Sequence, residues 1–119
     1  MKLSGPKILL HIEGLVVLVA ACALYRELGA SWVWFAVLFL APDLFMFGYV
    51  FGKKIGARVY NIAHTYVAPF LLWWIVYFAN QPSMYPICLI WVAHIGFDRF
   101  LGYGLKYDTD FKDTHLHRV

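Results

Sequence analysis

Five ionisable side chains sit where an apolar chain can least easily keep them. Glu13, Asp43, His64, His94 and Asp98 each fall inside a long hydrophobic run. An ionisable group at the centre of a membrane span costs roughly 2.5–3.5 kcal/mol on insertion scales, so it needs a partner, water or a task. Two imidazoles and two or three carboxylates from separate segments are donors that zinc and other first-row divalent metals accept. Asp43, His64, His94 and Asp98 are the four expected metal ligands. Glu13 is expected as a further ligand or a general base, and Glu13 or Asp98 as the catalytic group that handles protons. A metal with an open coordination position would activate water for hydrolysis. The same residues also suit a proton relay in a transporter subunit. They suit equally a closed network that only ties helices together, at roughly 1 kcal/mol per polar pair. The His-x-x-x-His pattern of membrane desaturases and the Glu-x-x-His pairs of soluble di-iron bundles are both missing, so spacing alone does not choose among the three.

The elements that must position these groups are read from composition. The chain of 119 residues is 62% hydrophobic and 14% charged, against about 25% charged in an ordinary soluble domain. A water-soluble fold this small cannot hide so much apolar surface, which makes the lipid bilayer the expected solvent. The net charge of +3 is modest. Its basic residues flank the apolar runs instead of forming a patch, so no nucleic-acid partner is expected. Four segments approach the roughly 20 residues of one crossing: Ile8 to Tyr25, Trp32 to Phe51, Ile55 to Ala79 and Met84 to Leu105. "GKKIG" and "NQPS" leave only short connections, with Pro82 as a breaker, so neighbouring helices should run antiparallel.

The expected fold is an all-α integral membrane bundle of four antiparallel transmembrane helices over residues 1–105, followed by a polar cytoplasmic tail over 106–119. With the N-terminus in the cytoplasm, Lys2, Lys7, Lys53, Lys54, Arg58, Arg99, Lys106, Lys112 and Arg118 all lie inside. Of the ten basic residues, only Arg26 then lies outside. That asymmetry predicts both termini in the cytoplasm. "VAAC" at Val19 to Cys22 loosely resembles a lipoprotein cleavage site, but Glu13 in the preceding apolar run argues against a signal sequence. Cys22 and Cys88 have no metal or disulfide spacing and read as small buried side chains.

Helix rise, about 1.5 Å per residue, puts all five ionisable groups roughly 7–17 Å from the cytoplasmic edge. His94 and Asp98 are four apart and share a helix face. Tyr60, Asn61 and His64 extend the polar layer along the third segment. Pro42 and Pro69 each interrupt helical hydrogen bonding inside a span. Arg99 points about 100° away from Asp98 and is expected to snorkel to the headgroups. Trp32, Trp34, Trp73, Trp74, Tyr77, Tyr85 and Trp91 are read mostly as an interfacial belt. Gly48 and Gly52 form a small-xxx-small pair, a weak signal for a homo-oligomer. In the tail, Asp108, Asp110, Asp113, His115 and His117 carry donor groups without the glycine and terminal glutamate of a calcium loop. A solvated tail folded back over the bundle mouth is the expectation.

"HIGFDRFLGYGLKY" followed by "FKDTHL", together with "APDLFMFGYVFG" and "GARVYNIAHTYVAP", resembles the motifs of an uncharacterised bacterial membrane-protein family, domain-of-unknown-function family number 4260. The resemblance runs from about Glu13 to Leu116. It implies a four-span bacterial membrane protein whose motifs hold the positions of Asp43, Tyr49, Asn61, His64, His94, Asp98, Arg99, Gly102, Tyr103, Gly104 and Lys106. It implies no activity. His117 stands where that family is expected to have a glycine.

Overall fold

The computed structural model describes residues 4–119, and Lys2 of the charge count lies outside them. The chain is helical almost throughout. Helix α1 spans Gly5–Glu27, its first turn capped by the Ser4 hydroxyl, which accepts from the Lys7 N–H at 3.2 Å. Its buried stripe is Lys7, Gly14, Ala21 and Tyr25, and it lies along α5 (Tyr85–Leu101) for most of its length. Two glycines allow that approach. A Cβ on Gly14 would sit 2.6 Å from the Arg99 Cβ and 2.7 Å from the Gly96 carbonyl oxygen, and one on Gly96 would sit 2.8 Å from the Gly14 carbonyl oxygen.

The second expected span departs from a plain α-helix. Helix α2 covers Trp32–Leu38, and the chain continues as a 3-10 helix over Ala41–Phe51. Pro42 explains the break. Its ring lacks an N–H and crowds the carbonyl four residues back, at Leu38, where α2 stops. With three residues per turn, Leu44, Phe47 and Val50 fall in one row, and they are 63%, 70% and 79% exposed. Asp43 and Tyr49 lie on the adjacent row, which is partly buried.

The third span is broken too. Helix α3 (Lys53–His64) meets α4 (Val67–Phe78) at a 50° bend. The break precedes the expected Pro69 because the proline ring excludes the helical position of Thr65, four residues earlier. Thr65 is extended, with φ −102° and ψ 144°. Tight packing on the 3-10 helix holds α3: a Cβ on Gly48 would lie 2.8 Å from the Val59 Cβ, and one on Gly56 would overlap the Tyr49 ring.

Helix α5 ends at Leu101, short of the expected Leu105. Gly102 takes a left-handed conformation (φ 98°), and the Tyr103 N–H bonds back to the Asp98 carbonyl at 2.8 Å, a Schellman-type closure that favours glycine. Three helical stretches are long and apolar enough to cross a membrane: Gly5–Glu27, Trp32–Phe51 and Pro82–Leu101. A fourth is added if the bent α3–α4 pair counts as one span. Large apolar side chains cover the outside of all four. Tyr25, Leu89 and Ile90 form a buried core cluster, with Phe35, Phe39 and Trp73 packed against it.

The tail is ordered against the bundle. Lys106 and Thr114 form an antiparallel bridge, Leu116 is fully buried, and a short helix α6 (His115–Arg118) closes the chain.

Candidate metal centre

Both helix breaks feed the site. Because Pro42 has no N–H and the Asp43 N–H bonds to the Leu40 carbonyl, the Phe39 carbonyl is left without a backbone partner. The His94 Nδ1–H of α5 donates to it at 2.5 Å. At the other break, the Ala63 and His64 carbonyls end α3 without helical donors. The Trp91 Nε1–H donates to Ala63 at 2.6 Å and the Arg99 guanidinium to His64 at 3.0 Å. Arg99 is 8% exposed, so it does not snorkel. It caps α3, where the helix dipole also favours a cation. Trp91 does the same work at the Ala63 carbonyl.

These caps bring together the four predicted ligands. The His64 Nε2 lies 3.0 Å from Asp43 Oδ1 and 3.5 Å from Asp98 Oδ2. The His94 Nε2 lies 3.2 Å from each of the same two oxygens. The two Nε2 atoms are 3.3 Å apart, and all four donor atoms fall within 4.8 Å of one another. Ligands about 2.0–2.1 Å from a tetrahedral zinc are separated by about 3.3 Å, the edge of that tetrahedron. Five of the six separations fit that edge, and the sixth, between the two carboxylates, lies within 4.8 Å.

The tautomers fit as well. His64 Nδ1–H donates to the Tyr60 carbonyl at 2.8 Å, as His94 does to Phe39. A carbonyl only accepts, so in each neutral ring the proton is on Nδ1 and Nε2 presents its lone pair to the centre. Two neutral imidazoles and two carboxylates then carry a formal −2, which a divalent cation balances. Both imidazoles are buried, whereas the Asp98 side chain is 13% exposed and that of Asp43 32%. The site is therefore most open at Asp43, beside a shallow groove lined by Met46, Phe47, Tyr49 and Val50.

Around the ligands stand the other predicted polar residues. The Tyr60 ring stacks on His64 with centroids 3.7 Å apart and planes 5° apart. The Asn61 amide clamps the backbone of Lys106, accepting from its N–H at 2.6 Å and donating to its carbonyl at 2.8 Å. Lys106, counted above among the flanking basic residues, is 6% exposed, with its ammonium 4.8 Å from the Tyr60 ring centroid and 3.8 Å from that of Phe111. Burial pushes its pKa down, while Asp98 and Asp43 act the other way. Sequence spacing has no signal that joins Lys106 to Tyr60, since the loop after Gly102 sets that contact.

Glu13 is not brought to this cluster. It is exposed on α1 and lines a separate groove with Gly14, Val17, Tyr66 and Arg99. The tail donors are engaged singly: His115 Nδ1 accepts from the Leu105 N–H at 2.8 Å, and Asp113 pairs with Arg118 at 2.6 Å. Among the described residues, one cluster has metal-ligand geometry, and it is in the bundle.

Fold and site together define a small helical membrane protein with a buried acid–imidazole cluster able to coordinate a metal. Residues 7–119 match the family described as Domain of unknown function (DUF4260), and the chain belongs to that family. No curated protein and no solved structure matches the chain.

Proposed function

We propose that Asp43, His64, His94 and Asp98 hold one divalent ion, zinc or another first-row metal, and that this centre serves an enzyme acting on a membrane-embedded or amphipathic substrate. The observation that carries the metal is the convergence of four donor atoms within 4.8 Å, with five of their six separations near the edge of a tetrahedron around zinc. The substrate class follows from access. Asp43 is the most exposed ligand, and the exposed apolar Phe47 and Val50 border the groove beside it, so the open side adjoins lipid. A bound metal would supply Lewis-acid activation of water or of a polar substrate group. In this reading Asp98 handles protons, and Glu13 lies too far out to share the cluster. The chain would sit in the inner membrane with four antiparallel spans over residues 1–105 and both termini in the cytoplasm. Residues 106–119 would then be a cytoplasmic tail docked on the inner end.

One observation favours a second reading. Four protein donors complete a tetrahedron, and a closed shell is the mark of a structural zinc site. Elemental analysis of the detergent-purified protein beside a His64→Ala, His94→Ala double variant tests the centre itself. About one ion per chain is expected in the wild type, with loss in the variant. Equal content in both would remove the site. Cobalt substitution then separates the readings. A d–d spectrum that shifts when a water-competing anion is added indicates an open position, and an invariant tetrahedral spectrum indicates a structural clip.

A further inference from the structure

Four groups are layered beside the proposed centre. The Phe111 ring, the Lys106 ammonium, the Tyr60 ring and the His64 imidazole follow one another with separations of 3.8, 4.8 and 3.7 Å. Its nearest contacts are the two π faces, and the charges of Asp98 and Asp43 act on it from further off. The cation is nevertheless held in place. Asn61, one residue from Tyr60, binds both the N–H and the carbonyl of Lys106, and the bridge to Thr114 holds the strand from its other side. A cation over a ring face attracts that ring, more strongly when water is excluded. The Tyr60 ring has the Lys106 ammonium on one face and lies nearly parallel to His64 on the other, so the plane in which Lys106 holds Tyr60 is also the wall against the imidazole, whose Nδ1–H is bonded to the Tyr60 carbonyl. Groups that orient a metal-binding histidine from outside the ligand set typically change affinity by about 10–100-fold.

We infer that Lys106 is a positioning residue of the metal centre, acting on His64 through Tyr60, and that docking of the tail and loading of the metal are therefore coupled. This rests on the metal reading above. Coupling of this kind is reciprocal: whatever factor the docked tail adds to metal affinity, the metal adds to tail docking. The tail is then part of the site, although no tail residue is a ligand.

The test is titration of the detergent-solubilised full chain with cobalt(II), followed by zinc(II) in competition with a chelator. Lys106→Met keeps the length of the side chain and removes its charge, and Lys106→Arg keeps a cation over the rings. Tyr60→Leu removes the ring through which the effect passes. Lys106→Met should weaken metal binding about tenfold or more and Lys106→Arg should recover most of it. The Lys106→Met, Tyr60→Leu double variant should be no weaker than the worse single, because the two act in series. In the wild type, zinc should slow hydrogen exchange over residues 107–119, and Lys106→Met should abolish that protection. Unchanged affinity in Lys106→Met, or additive losses in the double variant, would overturn the inference while leaving the metal centre standing. A wild type that binds no metal would overturn both.

Discussion

His64 and His94 show how little freedom the ligands have. Each ring is pinned through Nδ1 to a named carbonyl, which leaves Nε2 to the centre. A carboxylate on the opposite side cannot be replaced cheaply by a neutral amide, because the charge that would balance a bound divalent ion is lost. Asp98→Asn, equal in volume, should lower zinc affinity by about a hundredfold or more. Glu13→Gln should leave it unchanged, since Glu13 faces away from the cluster. A chelator-competition titration reads both. Depth along the expected spans was legible in the sequence and picked out five residues, of which the fold brings four together. Depth could not say which way a side chain points. Glu13 shares the depth of the others, yet the buried stripe of α1 is Lys7, Gly14, Ala21 and Tyr25, and a residue next to Gly14 is turned by about 100° from it.

At the scale of elements, prolines and glycines set the geometry. Pro42 and Pro69 were legible as breaks, but their effect is displaced by one turn, to Leu38 and Thr65, since the clash is with the carbonyl four residues earlier. The 3-10 character of Ala41–Phe51 was not legible. Its 2.0 Å rise changes which residues share a face, and hydrophobic periodicity in a chain exposed to lipid is too weak to reveal it. Arg99 was misplaced for a related reason: the carbonyl it caps is free only because α3 ends early, and the same holds for the one that Trp91 caps. The contact of α1 with α5 depends on Gly14. Gly14→Leu puts a Cβ 2.6 Å from both the Arg99 Cβ and the Phe100 backbone nitrogen, a clash with backbone that cannot rotate aside. It should destabilise the bundle by about 1–3 kcal/mol or more, read as a lower thermal midpoint in detergent.

At the scale of the whole molecule, an apolar bundle carries a polar tail that stays docked by a few directed bonds. His115 is central among them. Burial, and then the nearby Arg99 charge, lower its pKa below the ordinary histidine value. The docked state thus disfavours the protonated ring, whose Nδ1 could no longer accept from Leu105. A group with a lowered folded pKa stabilises above its ordinary value, here about 6.5, and loses that contribution as pH falls through the lowered one. Asp113, held down to about 2 by Arg118 and Thr109, stays ionised across that window and does not contribute to the change. Limited proteolysis of the metal-free protein should therefore cut the tail faster at pH 5 than at pH 7.5. His115→Gln, which keeps an acceptor, should flatten the difference. The tail fold itself was only partly legible. Its return over the bundle was expected, but the Asn61 clamp joins residues 45 apart in sequence, and no local pattern reports such a pair.

The caps supplied by α5 also have a meaning in time. A chain is made from its N-terminus, and a nascent chain that has reached only Asn80 has two of the four donors, Asp43 and His64. It also has an α3 end whose Ala63 and His64 carbonyls have no donor. Trp91, His94, Asp98 and Arg99 all lie on α5 and so arrive together. The four clustered side chains and the caps of α3 therefore exist as a set only once α5 has been made, and a chain stopped before it holds neither.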